Sequence, residues 1–367
     1  MNARRFEKRT SDARSAGAAR ALLRWFERKA RPLPWRANPS PYAVWVSEVM
    51  LQQTQVATVI PYYRRFLRAF PTAASLARAP LERVLELWSG LGYYRRARHL
   101  HQAAKVLVER FKGRFPRDFE QARSLPGVGR YTASAVLSIA YDLPYAVLDG
   151  NVARVVARLR ALRGNLHQPA FRRAVEGELD RMLSRRQPGN FNQAMMELGQ
   201  TVCLPRAPRC PVCPLRRGCV GRRRGNPESF PTPRPRRATE IRHLAAAVIS
   251  RDGRVALMRG LDDGLLGDLW NFPAAFGSSR AAARARLEEK LAGLAPGPVR
   301  FHPSLGELRH GITFRSIRVD LHPATISGGL TADSLRWFAL SRLPDAAVSQ
   351  LARKIAERIR EEQFHHE

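Results

Sequence analysis

No stretch of the 367 residues is apolar and unbroken for long enough to span a bilayer; the most hydrophobic region, Tyr131 to Leu148, is interrupted by Ser134, Ser138, Asp142 and Pro144. The opening residues, MNARRFEKRTSDARSAG, carry charge but neither the apolar core nor the cleavage site of an export signal. The expected compartment is the cytoplasm. Cysteine is scarce as well, with four in the chain, all between positions 203 and 219, which argues against a disulfide framework. Acidic residues are few, 31 against 63 basic ones, and the resulting net charge of +32 points to a polyanionic partner, nucleic acid above all. Lysine supplies only six of those cations, and so strong an arginine bias also arises from genome base composition, so charge alone leaves that second explanation open.

What cysteine there is lies in CLPRAPRCPVCPLRRGC, spaced Cys203-x6-Cys210-x2-Cys213-x5-Cys219. Four thiols so close together in a polar, proline-rich loop suggest a metal centre. Zinc ribbons pair two tight knuckles, whereas here one tight pair is flanked by longer loops. The spacing favours a [4Fe-4S] cube and leaves zinc as the alternative. Arg206, Arg209, Arg216 and Arg217 share the loop, so the centre can frame cations for phosphates.

Residues 18–202 read as helices of modest length, with apolar residues at three- and four-residue spacing in VIPYYRRFLRAF, LERVLELW, ARHLHQAAKVLVERF and VARVVARLRAL. After Cys219 the composition turns to Arg, Pro and polar residues, the character of an exposed connector. Beyond it HLAAAVIS and RVALMRG flank Asp252-Gly253 as a β-hairpin, RSIRVDLH and LRWFAL add strands, and helices are expected near 280–294 and 345–362. The reading is a mainly α domain over 1–225, a linker over 226–240 and an α+β domain over 241–367. Each is large enough to bury its own core.

LPGVGRYTASAVLSIA sets Gly127, Val128 and Gly129 in a tight turn before a helix, a sequence-independent phosphate site or an ordinary interhelical turn. Together with the cysteine loop, this turn resembles the helix-hairpin-helix DNA glycosylases of the endonuclease III type. PLPWR (32–36), SEVMLQQTQV (47–56), GLGYYRRARHLH (90–101), LPGVGRYTA (125–133), LDGNV (148–152) and FNQAMMELG (191–199) narrow the resemblance to the adenine DNA glycosylases, the MutY family. The resemblance implies a [4Fe-4S] cluster on the four cysteines, double-stranded DNA as partner, a monomer, and hydrolysis of the glycosidic bond of a flipped adenine.

Such a reaction needs a proton donor for the leaving base and an anion beside the sugar cation. Glu48 has apolar neighbours, with Trp45 and Gln52 at helical spacing, and desolvation there would keep it protonated; a solvated helix face is the other reading. Asp149 begins DGNVARVVARLRAL, where an N-cap suffices as an explanation. The resemblance implies that Glu48 is the acid, that Asp149 stabilises the sugar and that Asn151 holds the local geometry. Tyr131 stands where strand-cutting relatives carry a Schiff-base lysine, so a monofunctional enzyme is implied. Trp35, Arg36 and Gln193 are implied to line the adenine pocket, with Gln193 standing where some relatives carry a carboxylate. Gln53 and Tyr93, with Leu51 and Thr54 nearby, are implied to wedge the duplex.

Residues 241–367 resemble the family's Nudix-like C-terminal domain, most clearly in GDLWNFPAAFG (267–277). ARARLEEKLAGL lacks the ordered Arg-Glu and Glu-Glu set of a Nudix catalytic helix, so no second activity is expected. The family reads 8-oxoguanine with a Phe-Ser-His hairpin, and here Ile312, Thr313 and Phe314 stand in those places, with His310 displaced. The expected substrate is adenine opposite 8-oxoguanine, with discrimination against guanine weaker or differently arranged.

Overall fold

The computed structural model describes residues 2–233, 237–260, 269–294, 297–327 and 335–364, with side chains described from Ser15 onward except at 344, 345, 363 and 364. The first two residues of the 267–277 stretch therefore lie outside the described residues. Packing divides the chain into one unit of Met1–Arg78 with His99–Pro235 and another of Ala79–Arg98 with Arg236–Glu367. The sequence reading had kept 79–98 with the helices around it. Sequence periodicity does not register the long-range bonds of this segment, such as Arg353 Nη2 to Ser89 Oγ at 2.7 Å.

The first unit is helical. Its central helix, Pro41–Leu51, starts with proline at its first position, and the Ser40 side chain accepts the Ala43 N–H at 3.2 Å. Ala43 through Met50 are all buried, as expected of a helix without a polar stripe, and Glu48 is thereby carried into the interior. The helical hairpin is present. Phe119–Arg123 is capped by Asp118 and followed by a turn into the helix Arg130–Tyr141, which packs on Pro41–Leu51. Gly127 has φ +73°, and a Cβ there would lie 2.5 Å from the His99 Cβ, so this turn requires glycine.

The helix Gly150–Arg160 is capped by Asp149, whose side chain accepts the Val152 N–H at 2.7 Å. The helix Pro188–Thr201 packs against it so closely that a Cβ on Gly199 would come within 2.7 Å of the Asn151 Cβ. The segment leading to Asp149 hangs on fully buried Asn192, which accepts the Val147 N–H at 3.1 Å and donates to Tyr145 O and Ser138 Oγ, both at 2.8 Å. Asn192→Leu strands those partners and is expected to cost about 3 kcal/mol in urea unfolding. A loss under about 0.5 kcal/mol would show that this segment is held by other means.

The second unit is α+β. Strands β1 (Glu240–Arg251) and β2 (Arg254–Arg259) form the expected hairpin, with Asp252 and Gly253 at φ +50° and +68°, the left-handed pair that a two-residue turn demands. They are followed by β3 (Trp270–Asn271), β4 (Ala274–Gly277), β5 (Val299–Phe301), β6 (Glu307–Ile312), β7 (Arg315–Ile326) and β8 (Leu335–Ala339). The sheet runs β3-β2-β1-β7-β5, with β4 also on β1, β6 on β7 and β8 on β2. β1 and β7 are parallel. β1 alternates between two cores: Leu244, Ala246 and Val248 meet Leu351 and Ile355 of the helix Gln350–Phe364, whereas Ala245, Ala247 and Ile249 meet Leu287 and Leu291 of the helix Arg280–Ala292. Among the described residues no helix is long and apolar enough to cross a membrane.

Candidate active site

A cleft of about 950 Å³ opens in the helical unit, and Glu48, Tyr131 and Asp149 all line it. Three helices deliver them: Glu48 comes from the last turn of Pro41–Leu51, Tyr131 from the first turn of Arg130–Tyr141, and Asp149 caps Gly150–Arg160. Glu48 is 4% exposed, and the Tyr131 hydroxyl donates to its Oε2 at 2.6 Å. Burial drives the Glu48 carboxyl from 4.5 to about 7; the Asp149 charge adds to this, while the Tyr131 hydrogen bond and Arg36 oppose it. The Tyr131 phenol is pushed well above its ordinary value by burial and by the two carboxylates, so it remains a donor. With Tyr131 on Oε2, the acid proton has Oε1 as its place.

Asp149 spends one oxygen on its cap and accepts Asn151 Nδ2 on the other at 2.9 Å. The capping residue therefore also lines the cleft. Asn151 Oδ1 in turn accepts Arg154 Nη2 at 2.9 Å, and Arg154 Nε donates to the Cys203 carbonyl at 2.8 Å. Arg154 went unnoticed in the sequence. So did Arg158, 2% exposed, which donates to Leu204 O at 2.6 Å and Pro205 O at 2.7 Å and so pins the start of the cysteine loop. The available signal was a pair of arginines at i and i+4 among the apolar residues Val152–Leu159.

The same cleft takes in Trp35, Arg36 and Gln193, with Leu51, Gln53 and Thr54 along its lip. Trp35 is packed edge-on to Tyr63, with centroids 5.4 Å apart, and Arg36 Nε donates to Gln193 Oε1 at 3.1 Å. Gln52 also lines the cleft, whereas Trp45 is fully buried between Tyr42 and Phe115.

A model of the HhH-GPD superfamily of base excision DNA repair proteins matches residues 46–179, from the Glu48 helix through Tyr131 and Asp149. The adenine DNA glycosylase of Rattus norvegicus is 36% identical over 394 aligned residues, covering 92% of this chain and 76% of that protein. The chain belongs to the adenine DNA glycosylase family. The Homo sapiens member is 34% identical, with 91% of this chain and 72% of that one covered. Among solved structures, a thermostable thymine-DNA glycosylase matches with a TM-score of 0.53 at 23% identity, covering 58% of this chain and 98% of its own; the two share a fold.

Of the other family positions, Gln53 borders the cleft and the rest lie outside it. Gln53 is exposed at φ +57° and Tyr93, in the other unit, is 48% exposed at φ +51°, both left-handed without being glycine. Such strain persists where the surroundings enforce it. In the hairpin, Gly127 and Gly129 are exposed, Val128 is buried, and the two glycine amides find no backbone acceptor among the described residues. Thr313 sits at the β6–β7 turn in the second unit, at φ +57°, with its hydroxyl donating to Ile312 O at 2.7 Å. His310 is buried in β6, where burial and then Lys354 push its imidazole down to about 4.

Cys203, Cys210, Cys213 and Cys219 are all free thiols lining one small cavity with Arg158 and Arg222. Burial pushes the Cys203 thiol up and that of Cys213 to about 12. Among the described residues no three His, Cys, Asp or Glu side chains close on a point that a single ion would occupy.

Proposed function

We propose that the chain hydrolyses the N-glycosidic bond of adenine flipped from a mispair with 8-oxoguanine in duplex DNA, and leaves the strand uncut. The observation that carries this reading is the buried Glu48, raised to about 7 and hydrogen-bonded to Tyr131 in a cleft shared with Asp149. Glu48 gives its proton to N7 of adenine as the bond from N9 to the sugar C1′ breaks and the electron pair leaves with the base. The Asp149 carboxylate stabilises the sugar cation, held in place by Val152 N–H and Asn151. Water then adds to C1′, and its proton returns to Glu48. Tyr131 has no amine with which to form an imine, which supports a monofunctional enzyme. Trp35, Arg36 and Gln193 would hold the base.

Because the acid must be protonated, adenine release is expected to fall as pH rises through about 7. Tyr131 stabilises the ionised form of Glu48, so Tyr131→Phe should move that falling limb upward; a downward move in single-turnover rates would contradict the assignment.

The hairpin amides of Gly127 and Gly129, with Val128 packed beneath, suit a phosphate. Gln53 and Tyr93 suit insertion beside the lesion. In the second unit, which we take as Nudix-like, the only hydroxyl proton of Thr313 is committed to Ile312, so lone pairs face outward. That polarity matches the N7–H of 8-oxoguanine and opposes the N7 acceptor of guanine. Arg237 stacks over Phe314 at 3.6 Å where the family carries histidine, and the buried His310 does not replace that imidazole. Single-turnover release from adenine·8-oxoguanine and adenine·guanine duplexes tests the reading. Equal rates and affinities would remove the oxidised base from it, and a borohydride-trapped adduct would restore a lyase.

The cysteine loop fits a [4Fe-4S] cluster: four thiols surround one cavity, and each iron of a cube takes its own ligand, unlike zinc, which gathers all four on one ion. Cys203, Cys210, Cys213 and Cys219 would hold it, and when bound it supplies a rigid core to the loop. Purified protein is expected to absorb broadly near about 400 nm. Stoichiometric zinc without that band would assign the site to zinc.

A further inference from the structure

Glu197 is charged and only 1% exposed on the wall of the cleft, yet nothing in the proposed reaction uses it. Such a carboxylate is stable only if cations hold it. Two do. Arg31 meets both oxygens, Nε to Oε1 at 2.5 Å and Nη2 to Oε2 at 3.0 Å, and Arg36 Nη2 reaches Oε2 at 2.9 Å. Burial would raise its pKa, but these hydrogen bonds and charges outweigh it and hold Glu197 ionised.

Arg36 is fixed on every side. Nε goes to Gln193, Nη1 to the Arg31 carbonyl at 2.9 Å and Nη2 to Glu197, and the guanidinium lies 5.0 Å over the Phe26 ring. The charged and titratable groups acting on Glu48 are Tyr131 from the 130–141 helix, Asp149 from the head of the 150–160 helix, and Arg36 from the Pro34–Ala37 turn. Arg36 is therefore the cation nearest in effect to the acid, and Arg31 and Glu197 line the same cleft. An unpaired arginine there would swing toward the carboxyl and favour its ionised form.

We infer that Glu197 is a positioning residue which neutralises Arg36 and holds it on the base-binding side, so that Glu48 keeps its proton. This rests on the glycosylase reading above. Two acids in one cleft thus have opposite tasks: one stays ionised so that the other does not. Arg36 can then contact an adenine without draining the proton meant for it.

The test is the pH dependence of single-turnover adenine release by the full chain. Glu197→Gln keeps the volume and an acceptor but removes the charge. The midpoint of the falling limb is expected to drop by about one pH unit, so the rate at pH 8 falls roughly tenfold while the rate at pH 5 changes little. Adding Arg36→Gln to that variant should return the midpoint to the parent value or above it, whatever it does to affinity. A merely structural role would scale the profile at every pH and leave the midpoint in place, and that outcome overturns the inference. Should Glu197→Gln fail to fold, Arg31→Gln serves instead: Glu197 still holds Arg36, so the midpoint stays or rises, and a fall would be contrary evidence. A parent protein that releases no adenine at any pH would sink the glycosylase reading itself, a result distinct from an unmoved midpoint.

Discussion

Glu48→Gln is expected to bind a mispaired duplex as the parent does and to release adenine about a thousandfold more slowly, since general acids contribute roughly 10²–10⁴. The amide keeps the shape and still accepts from Tyr131, but it has no proton to give. Retention of more than a tenth of the parent single-turnover rate would remove Glu48 as the acid. The same substitution should stabilise the protein above neutrality. A carboxyl whose folded pKa is raised from 4.5 to about 7 contributes stability that is fully present below pH 4.5 and lost as pH rises through about 7. The shift corresponds to about 3 kcal/mol. Urea titrations at pH 4.5 and pH 8 should show that loss in the parent and little of it in the variant. An enzyme that keeps a proton on a buried carboxyl gives up folding energy above neutrality to do so.

Asp149→Asn should be the second severe loss, and an informative one because asparagine is as good an N-cap as aspartate. Its Oδ1 can still accept the Val152 N–H, so thermal unfolding should stay within a few degrees of the parent. Removing the charge from beside the sugar cation is expected to cost about 10²–10³ in single-turnover rate. A variant that is unstable and inactive in proportion would return Asp149 to a capping role alone.

What the sequence disclosed was whatever is written locally. The Asp252-Gly253 turn shows because two left-handed residues in succession have few acceptable compositions, and the Glu48 helix shows because its flanks are apolar on every side. The strands β3, β4 and β5, two to four residues long, are too short to display a period of two. The supports of the cleft stayed hidden for a different reason. Arg154 meets Cys203 across 49 positions and Arg31 meets Glu197 across 166, and an arginine or glutamate in a helix or a connecting turn looks the same in sequence whether it faces water or a buried partner. The placement of 79–98 with the second unit is of this kind too. Asp149 lay between the two cases, because its cap is local and its neighbour Asn151 is only two positions away.

The line from Asp149 through Asn151 and Arg154 to the Cys203 carbonyl crosses a single helix, Gly150–Arg160, which thus serves as a common mount. One end fixes the Asp149 carboxylate, the anion we propose for the sugar cation; the other fastens the start of the thiol loop. Damage to that loop need not enter the cleft to silence it. Letting go of that carbonyl would leave Arg154 on Asn151 and on the Gly199 carbonyl, 2.8 Å from its Nη2, with one anchor fewer, and a shift of fractions of an ångström passed on to the carboxylate would be enough to change the rate of the proposed reaction.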